Sequence, residues 1–232
     1  MYNGNKALSR IKDAVDDITD RLNTIEIDVH WYRRIAHTSA SSFLVYYLLP
    51  EQPYYLYRVL LPVTIFIIVV LIEYLRLYRY IDKGLFFGLR HYEDERVSGY
   101  LYFASGFLVL VLLFPQQIVI PCVLCVCFTD PVMGELRYRG YNILYTVLIG
   151  FIISCFFFYV VWHHDSSITI TVVISIIGGS LAVIGEAWKS RLIDDDFLMQ
   201  ILPAIGVFMI WQGFKILLGV DILPSPLLHP VI

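Results

Sequence analysis

The sequence predicts an all-α, polytopic integral membrane bundle of about seven segments, preceded by an amphipathic cytoplasmic helix. Three observations carry this. Of 232 residues, 58% are hydrophobic and the mean hydropathy is +0.70, far above the roughly half-apolar composition of soluble domains. The apolar residues are grouped in runs, several of them near the roughly 20 residues a helix needs to cross a bilayer. Lys and Arg gather in alternate loops between those runs, and such loops are cytoplasmic.

Residues 5–30 are too polar to cross. Leu8, Ile11, Val15, Ile18, Leu22, Ile25 and Val29 alternate spacings of three and four, a heptad seam among charged positions. The excess of acids disfavours adhesion to anionic lipid, which wants a basic face. Two readings remain: a homodimer through residues 5–30, or a helix packed on the body of the chain. No secretory signal peptide is expected, because an acidic polar stretch precedes the first apolar run and no small-residue cleavage site follows a short apolar core.

The apolar segments are predicted at 36–50, 55–75, 98–114, 116–129, 141–162, 168–188 and 198–219. The first and fourth are short, and Pro50, Pro115 and Pro121 interrupt the pattern. Broken membrane helices often build sites, since unwound backbone survives at depth only beside a cavity; the plainer reading is a short or tilted helix. The turns at 51–54, 115–116 and 163–167 carry no Lys or Arg, whereas 76–97, 130–140 and 189–197 carry most of them. This puts the N-terminus in the cytoplasm, of a cell membrane in a prokaryote or the endoplasmic reticulum in a eukaryote. Arg58 and Lys215, near external helix ends, are expected to snorkel. The predicted organisation is a heptad helix (1–30), a membrane-embedded catalytic domain (31–219) and a short, loosely ordered external tail (220–232).

The net charge of −3 supplies no basic excess to displace counterions, so nucleic acid is not an expected partner. No GxxxxGK[ST] loop and no Gly-rich strand-to-helix fingerprint is present. Cys122, Cys125 and Cys127 lack the partners that complete a zinc set and read as small buried hydrophobes. Gly178, Gly179, Ala182 and Gly185 read as small residues that let helices approach.

Four groups of residues could carry chemistry. Asp130, followed by Pro131 and then Arg137 and Arg139, opens a cytoplasmic loop in this reading. A carboxylate suits a hard cation and guanidinium suits phosphate oxygens; a helix-capping Asp in a positive-inside loop is the alternative. Glu186, Lys189 and the run Asp194, Asp195, Asp196 form the second group. Adjacent carboxylates repel unless a cation or base compensates; a solvated loop with Asp196 capping the last helix is the alternative. Glu73 and Arg76 lie one turn apart at the end of a segment. Arg34 and His37 share a helix face, where His37 could meet a phosphate, take a proton, or be merely polar.

Together these residues resemble the CTP-dependent polyprenol kinase family, which includes dolichol kinase, phytol kinase and the yeast-type diacylglycerol kinase. Arg33-Arg34-Ile35-Ala36-His37 is similar to its Arg-Lys-x-x-His block, and Glu73-Tyr74-Leu75-Arg76 to its Glu-x-x-Arg. Arg90-His91-Tyr92-Glu93, with Ser98-Gly99 entering the next segment, looks like its Arg-x-x-Glu and Ser-Gly. Asp130-Pro131 matches the start of Asp-Pro-x-Ala-x-x-x-Gly, with Met133 and Arg137 replacing Ala and Gly. Glu186 and Asp194-Asp195-Asp196 match the last block apart from Asp196 for Asn. The family's Lys-Ser/Thr-x-Glu-Gly block has no counterpart; Gly140 leads straight into a segment, leaving Arg137, Arg139 and Lys189 in its place.

The resemblance covers roughly residues 31–203 and implies phosphoryl transfer from CTP to a membrane isoprenoid alcohol of the dolichol or polyprenol type. It implies Mg2+ held by Asp130 with Asp194, Asp195 or Asp196, and phosphates clamped by Arg34, Arg76, Arg90, Arg137, Arg139 and Lys189. Glu186 or His37 would orient or deprotonate the alcohol beside Asp130, with Glu73, Glu93 and Pro131 in support. A cytidylyltransferase making a CDP-lipid, and a non-enzymatic transporter or scaffold, are the alternative functions.

Overall fold

A computed structural model describes residues 29–49, 55–78, 96–188 and 193–230. Most of the heptad seam, Arg90, Glu93 and Lys189 lie outside the described residues. Among the described residues all regular structure is helical. Among the described residues, five helices are long and apolar enough to cross a membrane: Arg58–Leu77, Gln116–Tyr138, Ile143–Trp162, Ile168–Ala187 and Asp195–Leu218.

The first segment is built in two forms. Helix α1 (Val29–Ser39) continues into a 3-10 helix (Ala40–Leu48). The polar run at the junction explains the change. Ser39 Oγ donates to the Ala36 carbonyl (2.8 Å) and Ser41 Oγ to the Thr38 carbonyl (2.7 Å). Such bonds to the carbonyl three residues back compete with α-helical pairing. At the far end Arg58 donates to the carbonyls of Leu49 (2.7 Å) and Tyr47 (3.3 Å). Arg58 thus closes the end of the 3-10 helix.

Helix α2 (Tyr55–Leu77) and the shorter α3 (Gly99–Leu113) follow. The fourth segment departs from expectation. It does not stop at 129: α4 (Gln116–Leu124), a π turn (Cys125–Thr129) and α5 (Asp130–Tyr138) form one helix of 23 residues. Pro131 therefore sits inside a helix and does not end it. The wide π turn ahead of Pro131 opens the ladder where its ring would press on the preceding turn. This helix is the centre of the bundle, with 78% of its apolar window buried.

Helices α6 (Ile143–Trp162), α7 (Ile168–Ala187) and α8 (Asp195–Leu218) pack in sequence around that centre, and α3 bridges α2 to α8. The small-residue seam of α7 permits close approach. A Cβ at Gly179 would lie 2.9 Å from the Cys155 backbone nitrogen of α6, and one at Gly185 would lie 2.8 Å from the Leu198 and Met199 backbone of α8.

The tail after Gly219 is docked, contrary to the expectation of loose order. Gln116 pairs with both backbone groups of Leu228 (3.0 and 3.1 Å), and Gln117 donates to the Pro224 carbonyl (2.7 Å). Ile222 and Pro224 are buried. Two glutamines at the start of α4 supply the backbone partners the tail lacks internally, and the tail prolines lower the entropy lost on ordering. Lys215 pairs with Asp221 (3.0 Å) and stands over the Trp211 ring.

Candidate functional site

The ends of α2, α5 and α7 and the starts of α3, α6 and α8 share one end of the bundle, and the acids converge there. Asp194 caps α8, its carboxylate accepting from the Asp196 backbone N–H (3.1 Å). The cap is therefore two residues earlier than the Asp196 expected from sequence. That shift puts Asp195 and Asp196 in the first turn, where the helix dipole favours carboxylates, and both are buried. Glu186, the penultimate residue of α7, is 1% exposed. Gly185 beside it lets the α8 backbone approach. Asp130 opens α5 and is also buried.

His37 of α1 is buried between two of these acids. Its Nδ1 lies 3.9 Å from Asp130 and its Nε2 lies 3.8 Å from Asp196. Three sets of ligand atoms each fit within 4.8 Å: His37, Asp130 and Asp196; Asp130, Glu186 and Asp195; and Asp194, Asp195 and Asp196. Oxygens on opposite sides of a magnesium ion are about 4.2 Å apart, so modest side-chain movement brings such a set to coordinating distance. The donors are mainly hard carboxylate oxygens, as Mg2+ requires. The observation favouring a cation is the burial of four carboxylates, Asp130, Glu186, Asp195 and Asp196, close enough together to share one ion; among the described residues the Arg137 guanidinium pairs with Glu186 and the His37 imidazole lies beside Asp130 and Asp196.

Pro131 also positions His37. Lacking an N–H, it cannot donate to the carbonyl four residues back, that of Cys127. The Thr38 hydroxyl donates to that carbonyl at 3.4 Å. A single proline thus leaves an acceptor on the central helix, and the residue after His37 binds it.

The expected phosphate-binding bases divide. Arg137 pairs with Glu186. Arg34 and Arg139 both pair with Glu135, and the Arg34 guanidinium lies 5.8 Å from the Trp31 and Tyr138 ring centroids. Arg76 is fully buried, with two bonds to Glu73 (2.8 and 2.6 Å) and one to the Arg96 carbonyl (2.6 Å), while Glu73 accepts from the Ser98 N–H (2.7 Å). Glu73 and Arg76 therefore join the end of α2 to the start of α3. That is a structural role for both side chains.

An apolar cavity of about 250 Å³ opens from the cluster, between α1 with its 3-10 extension, α2 and α3. His37 and Asp196 supply its ionisable end, and Ala40, Phe43, Phe66 and Phe103 are among its walls. Sequence reasoning gave Glu135 and Thr38 no role. Glu135 could have been found from its four-residue spacing to Arg139; Thr38 had no such signal, since its partner is 89 residues away. Comparison with family models, curated proteins and solved structures finds no match.

Proposed function

We propose that this chain is an integral membrane lipid-alcohol kinase that uses CTP and Mg2+ at the cytoplasmic face, with its N-terminus on that side. The observation that carries the reading is the junction of an apolar cavity with a buried histidine–carboxylate cluster. A lipid alcohol needs that junction: hydrocarbon walls for its chain and polar groups at the hydroxyl. The groove has no chain of charged residues leading through the bundle among the described residues, which speaks against a transporter.

Asp130 with Asp195 or Asp196 would hold the metal, which supplies charge neutralisation on the nucleotide phosphates. Glu186, paired with Arg137 and placed away from the cavity wall, is the less suited of the two candidate alcohol-orienting groups. His37 is on that wall, so it would orient the hydroxyl, with Asp196 beside it. The alcohol oxygen attacks the terminal phosphorus, the bond to the departing CDP breaks, and the hydroxyl proton passes to His37 or Asp196. Arg137 is tied into this cluster through its pair with Glu186.

The test is purified protein with labelled CTP or ATP and a panel of lipid alcohols. The expected products are a lipid phosphate and CDP; release of pyrophosphate instead would establish the cytidylyltransferase reading. Asp130→Asn should abolish transfer while the protein remains folded, and undiminished activity in that variant ends the assignment.

A further inference from the structure

The 3-10 helix Ala40–Leu48 is unusually long for its kind. Runs beyond three or four residues are uncommon, because the hydrogen-bond geometry is poorer than in an α-helix. Its consequence is a straight row of side chains. With three residues per turn, Ala40, Phe43, Tyr46 and Leu49 stand nearly above one another, one turn beyond His37 at the end of α1. In an α-helix each three-residue step would fall about 60° short of a full turn, and the row would wind off the face.

That row follows the cavity. Ala40 and Phe43 line the apolar cavity that begins at His37. Phe43, Tyr46 and Leu49 line a second apolar cavity of about 200 Å³. The two share Phe43, Pro62, Ile65 and Phe107 as walls, so they adjoin along one groove. Where they adjoin, the Phe43 ring meets the Phe107 ring at 5.6 Å between centroids. Phe43 and Ile65 are 42% and 37% exposed, so the groove is open along its side to the surroundings of the bundle.

From His37 to Leu49 the row measures about 22 Å, three residues at α-helical rise and nine at 3-10 rise. Half the hydrocarbon thickness of a bilayer is about 15 Å. A chain lying the length of the row therefore outreaches the acyl region of one leaflet. The row is one side chain wide, and it is walled by α2 on one side and α3 on the other.

We propose that this row is a rail for one extended apolar chain, and that Phe43 is the residue that sets the length and number of chains accepted. The occupant is a long, single-chained lipid alcohol with its hydroxyl at His37 and Asp196, and a two-chained glycerolipid is disfavoured. This rests on the lipid-kinase reading for the reaction, but chain selection has its own readouts.

Transfer is measured against single-chain alcohols of increasing length and against a diacylglycerol, for the wild type and Phe43→Ala. Hydrophobic contacts of this size discriminate by roughly ten- to two-hundredfold. The wild type should prefer long single chains over diacylglycerol by at least about tenfold. Phe43→Ala should widen the groove where the cavities adjoin and erase most of that ratio. In a parallel measurement without nucleotide, Phe43→Trp is titrated with single-chain alcohols brominated near or far from the hydroxyl. Phe43 stands about 10 Å from His37 along the row, so quenching should be strongest for bromine about eight carbons from the hydroxyl and weak for bromine beside the hydroxyl or at the far end of a long chain. Turnover with an unaltered chain preference in Phe43→Ala overturns the rail and leaves the kinase standing. Position-dependent quenching without turnover of any alcohol sinks the kinase and supports the rail. Loss of both overturns both.

Discussion

Removing Arg137 tests whether its pair with Glu186 holds the carboxylate cluster together. Glu186 is 1% exposed and the Arg137 side chain 33% exposed. Removing one partner of a fully buried pair costs about 3–5 kcal/mol, because a charge stays behind in low dielectric. A pair in water is worth at most about 1 kcal/mol. With one partner buried and the other one-third exposed, Arg137→Met should destabilise the protein by about 2–3 kcal/mol. Glu186→Gln leaves a guanidinium that can reach water and removes one negative charge beside Asp130 and Asp195, so its cost should stay below about 1 kcal/mol. The double variant should resemble Glu186→Gln, giving a coupling of about 2 kcal/mol. Equilibrium unfolding in detergent micelles measures all three. If the double variant is as unstable as Arg137→Met, with coupling under about 0.5 kcal/mol, the lost stability comes from packing of the arginine stem and the electrostatic argument is wrong.

Thr38→Val should cost about 1 kcal/mol and lower transfer, since it withdraws the donor from the Cys127 carbonyl. In a Pro131→Ala background the new N–H can serve that carbonyl, so the same substitution should cost less; equal cost in both backgrounds refutes the link. Gly185→Ala should destabilise by about 1–3 kcal/mol, because its methyl would lie 2.8 Å from the Leu198 and Met199 backbone, and an unfolding midpoint at the wild-type value counts against that approach. Asp221, bonded by Trp211 Nε1–H, Lys215 and the Leu223 N–H, is held down to about 2. Its folded value lies below the ordinary one of about 3.9, so the tail contact is at full strength above about pH 4 and is lost as pH falls through about 2. Trp211 fluorescence and protease cleavage of the tail should follow that window in the wild type and show no such transition in Asp221→Asn.

The signals in the sequence that survive are those with one local cause. Apolar runs of the right length placed α2, α6, α7 and α8 within a few residues, because a helix in hydrocarbon satisfies its own backbone. The burial of Glu186 was legible too, since an acid inside an apolar run must have a partner. What failed required knowing a partner distant in sequence. Asp130-Pro131 reads as a helix end on local rules, yet the π turn carries the helix through it. The tail reads as loose until Gln116 and Gln117 are placed beside it. Glu73 and Arg76 read as a local pair, and only the position of Arg96 and Ser98 shows that the pair also joins α2 to α3. The cap at Asp194 could have been chosen over Asp196 by its place before two further acids, a pattern the helix dipole favours.

Two departures from α-helical geometry meet at one contact. The π turn Cys125–Thr129 lies on one side of it and the 3-10 helix Ala40–Leu48 begins just beyond the other, and the Thr38–Cys127 bond joins them. Each departure weakens the ladder it interrupts, so neither is favoured by local sequence alone. Placed together they have separate effects on the same histidine. The π turn and Pro131 free a carbonyl that fixes Thr38, and with it His37, beside Asp130. The 3-10 helix then continues from His37 with a straight row of side chains along the apolar cavity. An unbroken α-helix in either place would keep the acids or keep the groove, and would not align the two. The alignment is what the proposed chemistry demands, because a lipid hydroxyl can reach a charged cluster at depth only along the path its own chain occupies.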